Sequence, residues 1–497
     1  MQQHGRVPRT ALRTVTRAWI AALLLAALAA CASPAAHDSH LYTLTVNRDG
    51  NGDGTVTSSP AGINLSTSQT QDSGPFPHGE EITLTANPAD DSTFAGWTGV
   101  ACDGSNNSTI CTFTITANTT ITANFDDPLF LPSLENLPQG VWSRVELSAA
   151  PGCADGSAYE IQVRPGSRDD LLLVFQGGGA TWGELDVPVS LRLTLASLGT
   201  QLYLPTVTTV GTRGLAGPPA GSALDGTTQV VVSYCSGDVH WGDARGVDDR
   251  GRPIEQRGAP NAAEALRWLE TQGLAPARVG VVGCSAGAYG ALLWAPSVQA
   301  LYPAAHRSLL LDAGLGVVQD PFLVRGATPP RGIEAWRIEG AYAANGLRQL
   351  LDEPLGEDYL ERLVAAVAGV FDGPIGIART DRDVVQTLFW YLMGEDFEDY
   401  PTTIEAIAAF AGERIDAWSA LALPRLERLD DVDGVVTFVS DWTPDVLPTS
   451  VAEVGTGHCL TTEPELWDGP VGGAFLAWWA ALRGDGGAPY SADLRED

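Results

Sequence analysis

The sequence predicts an α/β protein built around a parallel sheet, preceded by a small all-β module. Three observations carry that prediction. Apolar runs of the fully buried kind at residues 171–175, 230–234, 279–282, 309–311 and 435–439 alternate with helical stretches such as 262–270, the texture of strands covered on both faces. Residues 41–126 instead alternate Thr, Ser and Val with apolar positions, broken by Gly, Asn, Asp and Pro clusters, which means short half-buried strands. Lastly, Val279, Val281 and Val282 lead into Gly283-Cys284-Ser285-Ala286-Gly287 and then the apolar stretch Ala291-Leu292-Leu293-Trp294. Strand, tight turn and helix follow one another there, with a serine at the turn.

The N-terminus reads as a targeting segment. Arg6, Arg9, Arg13 and Arg17 precede an apolar run over 18–30 that is too short for a stable bilayer span and ends in Leu28-Ala29-Ala30-Cys31. That ending resembles a bacterial lipobox, in which the cysteine becomes the lipidated first residue. The alternative is an ordinary signal peptide cut near Ala30 or Ala32. The expected organisation is a lipoprotein signal peptide at 1–30, a linker at 31–40, the β-rich module at 41–126, a linker at 127–134 and the α/β domain at 135–497. The expected location is lipid-anchored at the outer membrane or cell surface of a bacterium.

At 497 residues with a formal charge of −31 and no lysine, the chain offers no clustered cations for a polyanion, so nucleic acid is not an expected partner. Beyond Cys31, six of the seven cysteines remain in an oxidising compartment, where pairing is expected. Cys102 and Cys111 bracket a polar Gly-Ser-Asn-Asn-Ser loop and are expected to join across it. Cys153, Cys235, Cys284 and Cys459 allow three pairings, and the sequence does not choose among them. Cys284, on a buried strand, is expected to be a packed free thiol.

Within the module, Gly54-Thr55-Val56-Thr57-Ser58-Ser59-Pro60-Ala61-Gly62, Phe94-Ala95-Gly96-Trp97 and Ile121-Thr122-Ala123-Asn124-Phe125 resemble the divergent internalin-type B-repeat, in a single copy. Asp49-Gly50-Asn51-Gly52-Asp53-Gly54 mimics the first half of a calcium loop. The twelfth position, where a bidentate Glu belongs, is Pro60, and a hairpin turn explains the same residues without metal. In the α/β part, residues 334–430 are mainly helical and are expected to form a cap insertion. The acidic end, 493–497, is expected to be a solvated tail.

The Gly-x-Ser-x-Gly turn carries the chemistry. A serine at such an elbow presents its hydroxyl above the sheet, where a histidine can take its proton and backbone N–H groups can receive an oxyanion. The competing explanation is a plain glycine-rich strand end. Of the two histidines beyond Ser285, His306 follows closely and leaves no room for a preceding acid, whereas His458 lies in a glycine-rich loop after the 435–439 strand, where a base belongs. Asp312, Asp381, Asp383 and Asp441 all remain possible acids on order alone. The strand at 171–175 runs into Gly177-Gly178-Gly179, and no Gly-Lys-Ser/Thr follows, which removes a phosphate loop. Gly178, Gly179 and Ala286 are the expected oxyanion donors.

Phe175-Gln176-Gly177-Gly178-Gly179-Ala180-Thr181-Trp182, Tyr234-Cys235-Ser236-Gly237-Asp238-Val239-His240-Trp241-Gly242, Arg257-Gly258-Ala259-Pro260-Asn261, 283–287 and Gly457-His458-Cys459 stand in the order seen in the pectin acetylesterase/Notum family. The resemblance covers roughly 135–485. It implies an α/β-hydrolase fold with a helical cap insertion, here preceded by the small all-β module, and a serine carboxylesterase that needs no metal or organic cofactor. The family's acid lies in an Asp-x-x-Gln stretch, matched by Asp383-Val384-Val385-Gln386, which singles out Asp383. The resemblance also points to Trp182, Asp238 and Trp241 as substrate-binding. Many members carry a cysteine shortly after the glycine loop where this chain has Thr181, which leaves Cys235 as a candidate free thiol. The implied partner is an ester substrate, first an acetylated, pectin-like polysaccharide. The alternative is a lipid, protein-acyl or small ester, with acyl-pocket depth deciding, and a third reading is a catalytically inactive surface-binding protein. No obligate protein partner is indicated.

Overall fold

The computed structural model describes residues 40–50, 52–89, 92–99, 102, 108–126, 133–182, 203–209, 214–247, 252–323, 330, 332–394, 404–442 and 457–495. The expected signal peptide, Cys31 and the linker as far as residue 39 lie outside the described residues. The chain divides into two compact units, Met1–Phe130 and Leu131–Asp497.

The first unit is all-β. Strands β1 (Leu41–Asp49), β4 (Gln71–Pro77), β6 (Thr93–Thr98) and β8 (Thr119–Asp126) form one sheet in the order β4-β1-β8-β6. A second sheet runs β3 (Asn64–Leu65), β2 (Gly54–Ser59), β5 (Glu81–Pro88), β7 (Ile110–Thr114). The Thr/apolar alternation does what period two requires. In β5, Ile82, Leu84 and Ala86 are buried in the shared core with Leu44, Val46, Val56 and Phe125, while Thr83 and Thr85 are only half-buried. The expected Cys102–Cys111 disulfide is present. The Asp-rich turn is not the expected hairpin, because β1 and β2, which it joins, belong to different sheets; its Asp53 carboxylate is paired with Arg48 at 2.8 Å.

The second unit is a three-layer α/β domain. Its nine-stranded sheet runs β19 (Ala492–Asp493), β18 (Val435–Ser440), β17 (Ile375–Thr380), β16 (His306–Asp312), β15 (Arg278–Cys284), β11 (Ser167–Phe175), β12 (Thr227–Val232), β10 (Glu160–Arg164), β9 (Ser143–Glu146). The strands from β12 to β19 in that order run parallel, β9 and β10 close one edge antiparallel, and β13 (Ala244–Val247) and β14 (Pro253–Gln256) form a separate antiparallel pair. The strands read as continuous apolar runs because each feeds two cores. Leu171, Leu173, Leu309 and Leu311 face one side, against helices α1 (Gly258–Thr271) and α2 (Ala286–Leu301). Leu172, Val282, Leu310 and Phe438 face the other, against Phe475, Trp478 and Leu482 of helix α3 (Pro470–Leu482). From β11 the chain goes first to β12 on one side and then crosses to β15 on the other. This switch point opens a crevice at the carboxyl ends of β11 and β15.

Two further expectations need correction here. Residues 334–430 are not one helical insertion, because β17 lies inside them as an interior strand. All six of its residues are buried, so it shows no alternation, and Gly376 and Arg379 break the apolar run that would have marked it. The acidic end is not wholly a solvated tail, since Ala492 and Asp493 add an edge strand opposite Phe438 and Val439.

Candidate active site

The elbow lies at the carboxyl end of β15. Ser285 has φ 54° and ψ −125°, a conformation that costs a residue with a Cβ roughly 1–3 kcal/mol and persists only where the surroundings enforce it. They do so by close approach. A Cβ on Gly283 would stand 2.0 Å from Gly287 O, and one on Gly287 would stand 2.0 Å from Phe175 O. Ser285 N–H donates to Asp312 O at 2.9 Å, and Ser285 O accepts from Ala288 N–H as α2 begins.

Asp383 lies three residues beyond β17 and caps the helix Val384–Met393. Its Oδ1 accepts from the N–H groups of Val385 (2.9 Å) and Gln386 (2.8 Å). Its Oδ2 accepts from Gln386 Nε2 (3.0 Å) and from His458 Nδ1–H (2.7 Å). The Asp-x-x-Gln spacing is thus a helix-capping device that also fixes the carboxylate towards the histidine. Asp383 is 0 % exposed, and these four donors satisfy it without water. Asp381 follows β17 with its N–H on Ser440 O at 2.9 Å, and Asp441 is exposed just past β18.

With Nδ1 donating to Asp383, His458 Nε2 is left buried with no hydrogen-bond partner, and His458 and Ser285 line the same cavity. Burial works against a charge on His458, but the carboxylates of Asp383 and Asp312 outweigh it and hold the imidazole above its ordinary value. Asp312 is itself pushed up to about 6 by burial, opposed by two donors from Thr461.

The loop carrying His458 is tied down at several points. Gly457 N–H donates to Trp442 O at 2.7 Å, and Thr461 N–H and Oγ1–H reach Asp312 Oδ2 at 2.7 and 2.6 Å. Cys459, at φ 66°, is disulfide-bonded to Cys284. Cys284 is therefore not a free thiol. The carboxyl end of β15 passes beside the histidine loop, a proximity invisible in linear order. Cys235 is not free either, because it leaves β12 beside the turn that carries Cys153 and is bonded to it.

Of the expected oxyanion donors, Gly179 and Ala286 line the cavity with Ser285 and His458. Gly178 does not, because it packs on Leu204 and Tyr234 and its carbonyl accepts from Leu204 N–H. The glycine loop is held by two residues of the Tyr234–Gly242 stretch to which the sequence assigned no role. His240 Nε2–H donates to Gln176 O (2.9 Å), and Tyr234 Oη–H donates to Gly179 O (2.8 Å). Burial pushes His240 down to about 4, so it stays neutral as it does this.

The cavity encloses about 710 Å³, its open mouth included. Its wall holds Trp182, Trp241, Trp336, Trp390, Phe322, Phe389, Tyr289 and Tyr359, with Val239, Val317, Val318, Ile333, Leu360 and Met393. The polar tips of several aromatics are already engaged by protein. Trp241 Nε1–H donates to Tyr289 O, Trp336 Nε1–H donates to Thr181 O, and the Tyr359 and Tyr342 hydroxyls bond to each other. Ring faces and alkyl groups are left to meet a ligand. Trp182 and Trp241 are thus at the cavity as expected, but Asp238 is not. It is fully buried, with its oxygens taken by Ser236 Oγ–H, Gly258 N–H and His240 N–H. Asp238 braces the loop that carries Val239 and Trp241, so its assignment as substrate-binding is corrected to a structural one.

Residues 144–321 match the Pectinacetylesterase family model, and residues 42–128 match the model of the Divergent InlB B-repeat domain. No curated protein matches the chain. Among solved structures, two crystal forms of the Wnt deacylase Notum from Drosophila align at TM-score 0.42 and 17% identity, over 70% and 71% of this chain and 97% of theirs. The second unit has the α/β-hydrolase fold, and the family match supports a hydrolase acting on acyl esters.

Proposed function

We propose that this chain is a serine carboxylesterase working through an acyl-enzyme, on esters whose acyl chain is apolar and longer than acetyl. The observation that carries the catalytic part is the Asp383–His458 pair, in which His458 keeps Nε2 without a hydrogen-bond partner and lines the same cavity as Ser285. Ser285 attacks the ester carbonyl while His458 Nε2 takes its proton. Asp383 holds the tautomer and stabilises the imidazolium, and the N–H groups of Gly179 and Ala286 receive the oxyanion. The alcohol leaves with the proton returned by His458, and water, activated by the same imidazole, releases the acid. This assembly speaks against an inactive surface-binding protein.

The acyl preference rests on the wall. Its lining offers ring faces and alkyl groups, from Trp182, Trp241 and Trp336 to Val317, Leu360 and Met393, and such contacts favour a chain with methylenes to bury over a bare acetyl group. Deacetylation of a polysaccharide is the second reading, favoured by the Pectinacetylesterase match. Hydrolysis of p-nitrophenyl esters from acetate to palmitate, beside acetylated pectin, separates the two. Each added methylene contributes about 0.8 kcal/mol, roughly fourfold in kcat/KM, until the cavity is full. A profile that peaks at acetate, with turnover of acetylated pectin, would establish the second reading. The anchor at Cys31 and delivery to the cell surface are part of the proposal. Three disulfides among the described residues support an oxidising compartment.

A further inference from the structure

The floor of the site holds a second buried carboxylate, to which the catalytic scheme gives no part. Asp312 ends β16 opposite Cys284 and is 3 % exposed. Its backbone oxygen accepts from Ser285 N–H at 2.9 Å, and its Oδ2 takes both the N–H and the hydroxyl of Thr461 at 2.7 and 2.6 Å. One residue therefore holds the serine turn by its main chain and the histidine loop by its side chain. It makes no direct hydrogen bond to His458, whose Nδ1 belongs to Asp383.

A neutral amide oxygen could accept both Thr461 donors without the penalty of burying a charge. What the amide could not supply is a negative charge beside the imidazole. The charged groups acting on His458 are Asp383, three residues beyond β17, and Asp312, at the end of β16, and both favour the cationic ring. Transfer of the serine proton makes that ring a cation, so both carboxylates act on the state the reaction passes through.

We propose that Asp312 is a positioning residue for the base. Its carboxylate clamps the loop at 457–461 so that His458 Nε2 is presented to Ser285, and its charge stabilises the imidazolium together with Asp383. This rests on the esterase reading above, and the test keeps the two apart.

The full chain is treated with a fluorophosphonate that phosphonylates an activated serine, and the labelling rate is followed against pH. No labelling of the wild type would fail the esterase reading itself. Given wild-type labelling, Asp312→Asn, which keeps an acceptor for Thr461 but loses the charge, is expected to label on the order of tenfold more slowly at neutral pH. Its acid limb should move to lower pH by about half a unit or more, because the imidazolium is less favoured. Thr461→Val, which loses one clamp bond and one of the donors that favour the Asp312 carboxylate, should label severalfold more slowly, with its acid limb moved no further than that of Asp312→Asn. Asp312→Asn with the wild-type rate and pH profile would overturn the inference. Should Asp312→Asn fail to fold, a Thr461→Val protein labelling at the full wild-type rate would overturn it alone.

Discussion

Cys284 and Cys459 are bonded to each other across 175 residues of chain, and each is the immediate neighbour of a residue of the site, Ser285 on one side and His458 on the other. The bond joins the end of an interior strand to a glycine-rich loop, so the placing of Ser285 relative to His458 is constrained by covalent chemistry as well as by packing.

Replacing both cysteines by alanine should therefore cost activity as well as stability. The melting free energy should fall by on the order of 3 kcal/mol from loss of the cross-link. At a temperature where the variant remains folded, kcat should fall more than tenfold with KM within about threefold, since the loop loses its register while the cavity wall is untouched. Calorimetry and steady-state kinetics on the same preparation check this, and an unchanged kcat would show that the hydrogen bonds hold the loop unaided.

Asp383→Asn should lower kcat by about 10⁴ with KM nearly unchanged, by favouring the wrong imidazole tautomer. Asp381→Asn and Asp441→Asn should stay within a few fold. A large loss in either of these, with Asp383→Asn active, would mean that the 2.7 Å contact to His458 is not the catalytic one.

The pH dependence follows from the same contact. The base works only when neutral, and its pKa is raised above the ordinary value of 6.5 against the opposing effect of burial. Protonation therefore removes activity as pH falls, with a midpoint above 6.5. A kcat/KM profile flat down to pH 5 would contradict this, because His458 would then be neutral well below its ordinary pKa.

Much of this was legible from residues, and the gaps have physical causes. Gly283 and Gly287 announced the elbow because steric exclusion acts over neighbouring positions. Asp383 stood out through Asp-x-x-Gln, since helix capping is also local. β17 was missed because a strand buried on both faces shows no alternation and this one contains Gly376 and Arg379. The Cys284–Cys459 bond, the grip of His240 on Gln176 O and the sealing of Asp238 depend on loops brought together by the sheet order. No local pattern in the chain records such contacts.

The cavity wall makes a prediction of its own. Val317→Phe adds volume to a lining position that is 5 % exposed and should shorten the acyl preference. Hydrolysis of p-nitrophenyl acetate should change by no more than a few fold, while kcat/KM for decanoate should fall at least about tenfold. A destabilisation of about 1–3 kcal/mol is expected alongside, so the comparison is made well below the melting temperature. Equal losses on both esters would place the acyl chain elsewhere.

On the proposed lipid anchor, Cys31→Ser should move the protein from the detergent phase to the aqueous phase in a phase-partition assay, because the acyl chains would attach at that sulfur. Unchanged partition with normal cleavage of the signal segment would remove the anchor from the proposal.

The claim on which the rest depends is that Ser285 is the nucleophile. Ser285→Ala, purified as the full chain and matched to wild type by circular dichroism and melting temperature, is assayed for release of p-nitrophenol across the ester series. Turnover should drop by several orders of magnitude on every ester, leaving only what binding and the oxyanion donors supply. Hydrolysis at a rate comparable to wild type by that folded protein would contradict the mechanism outright.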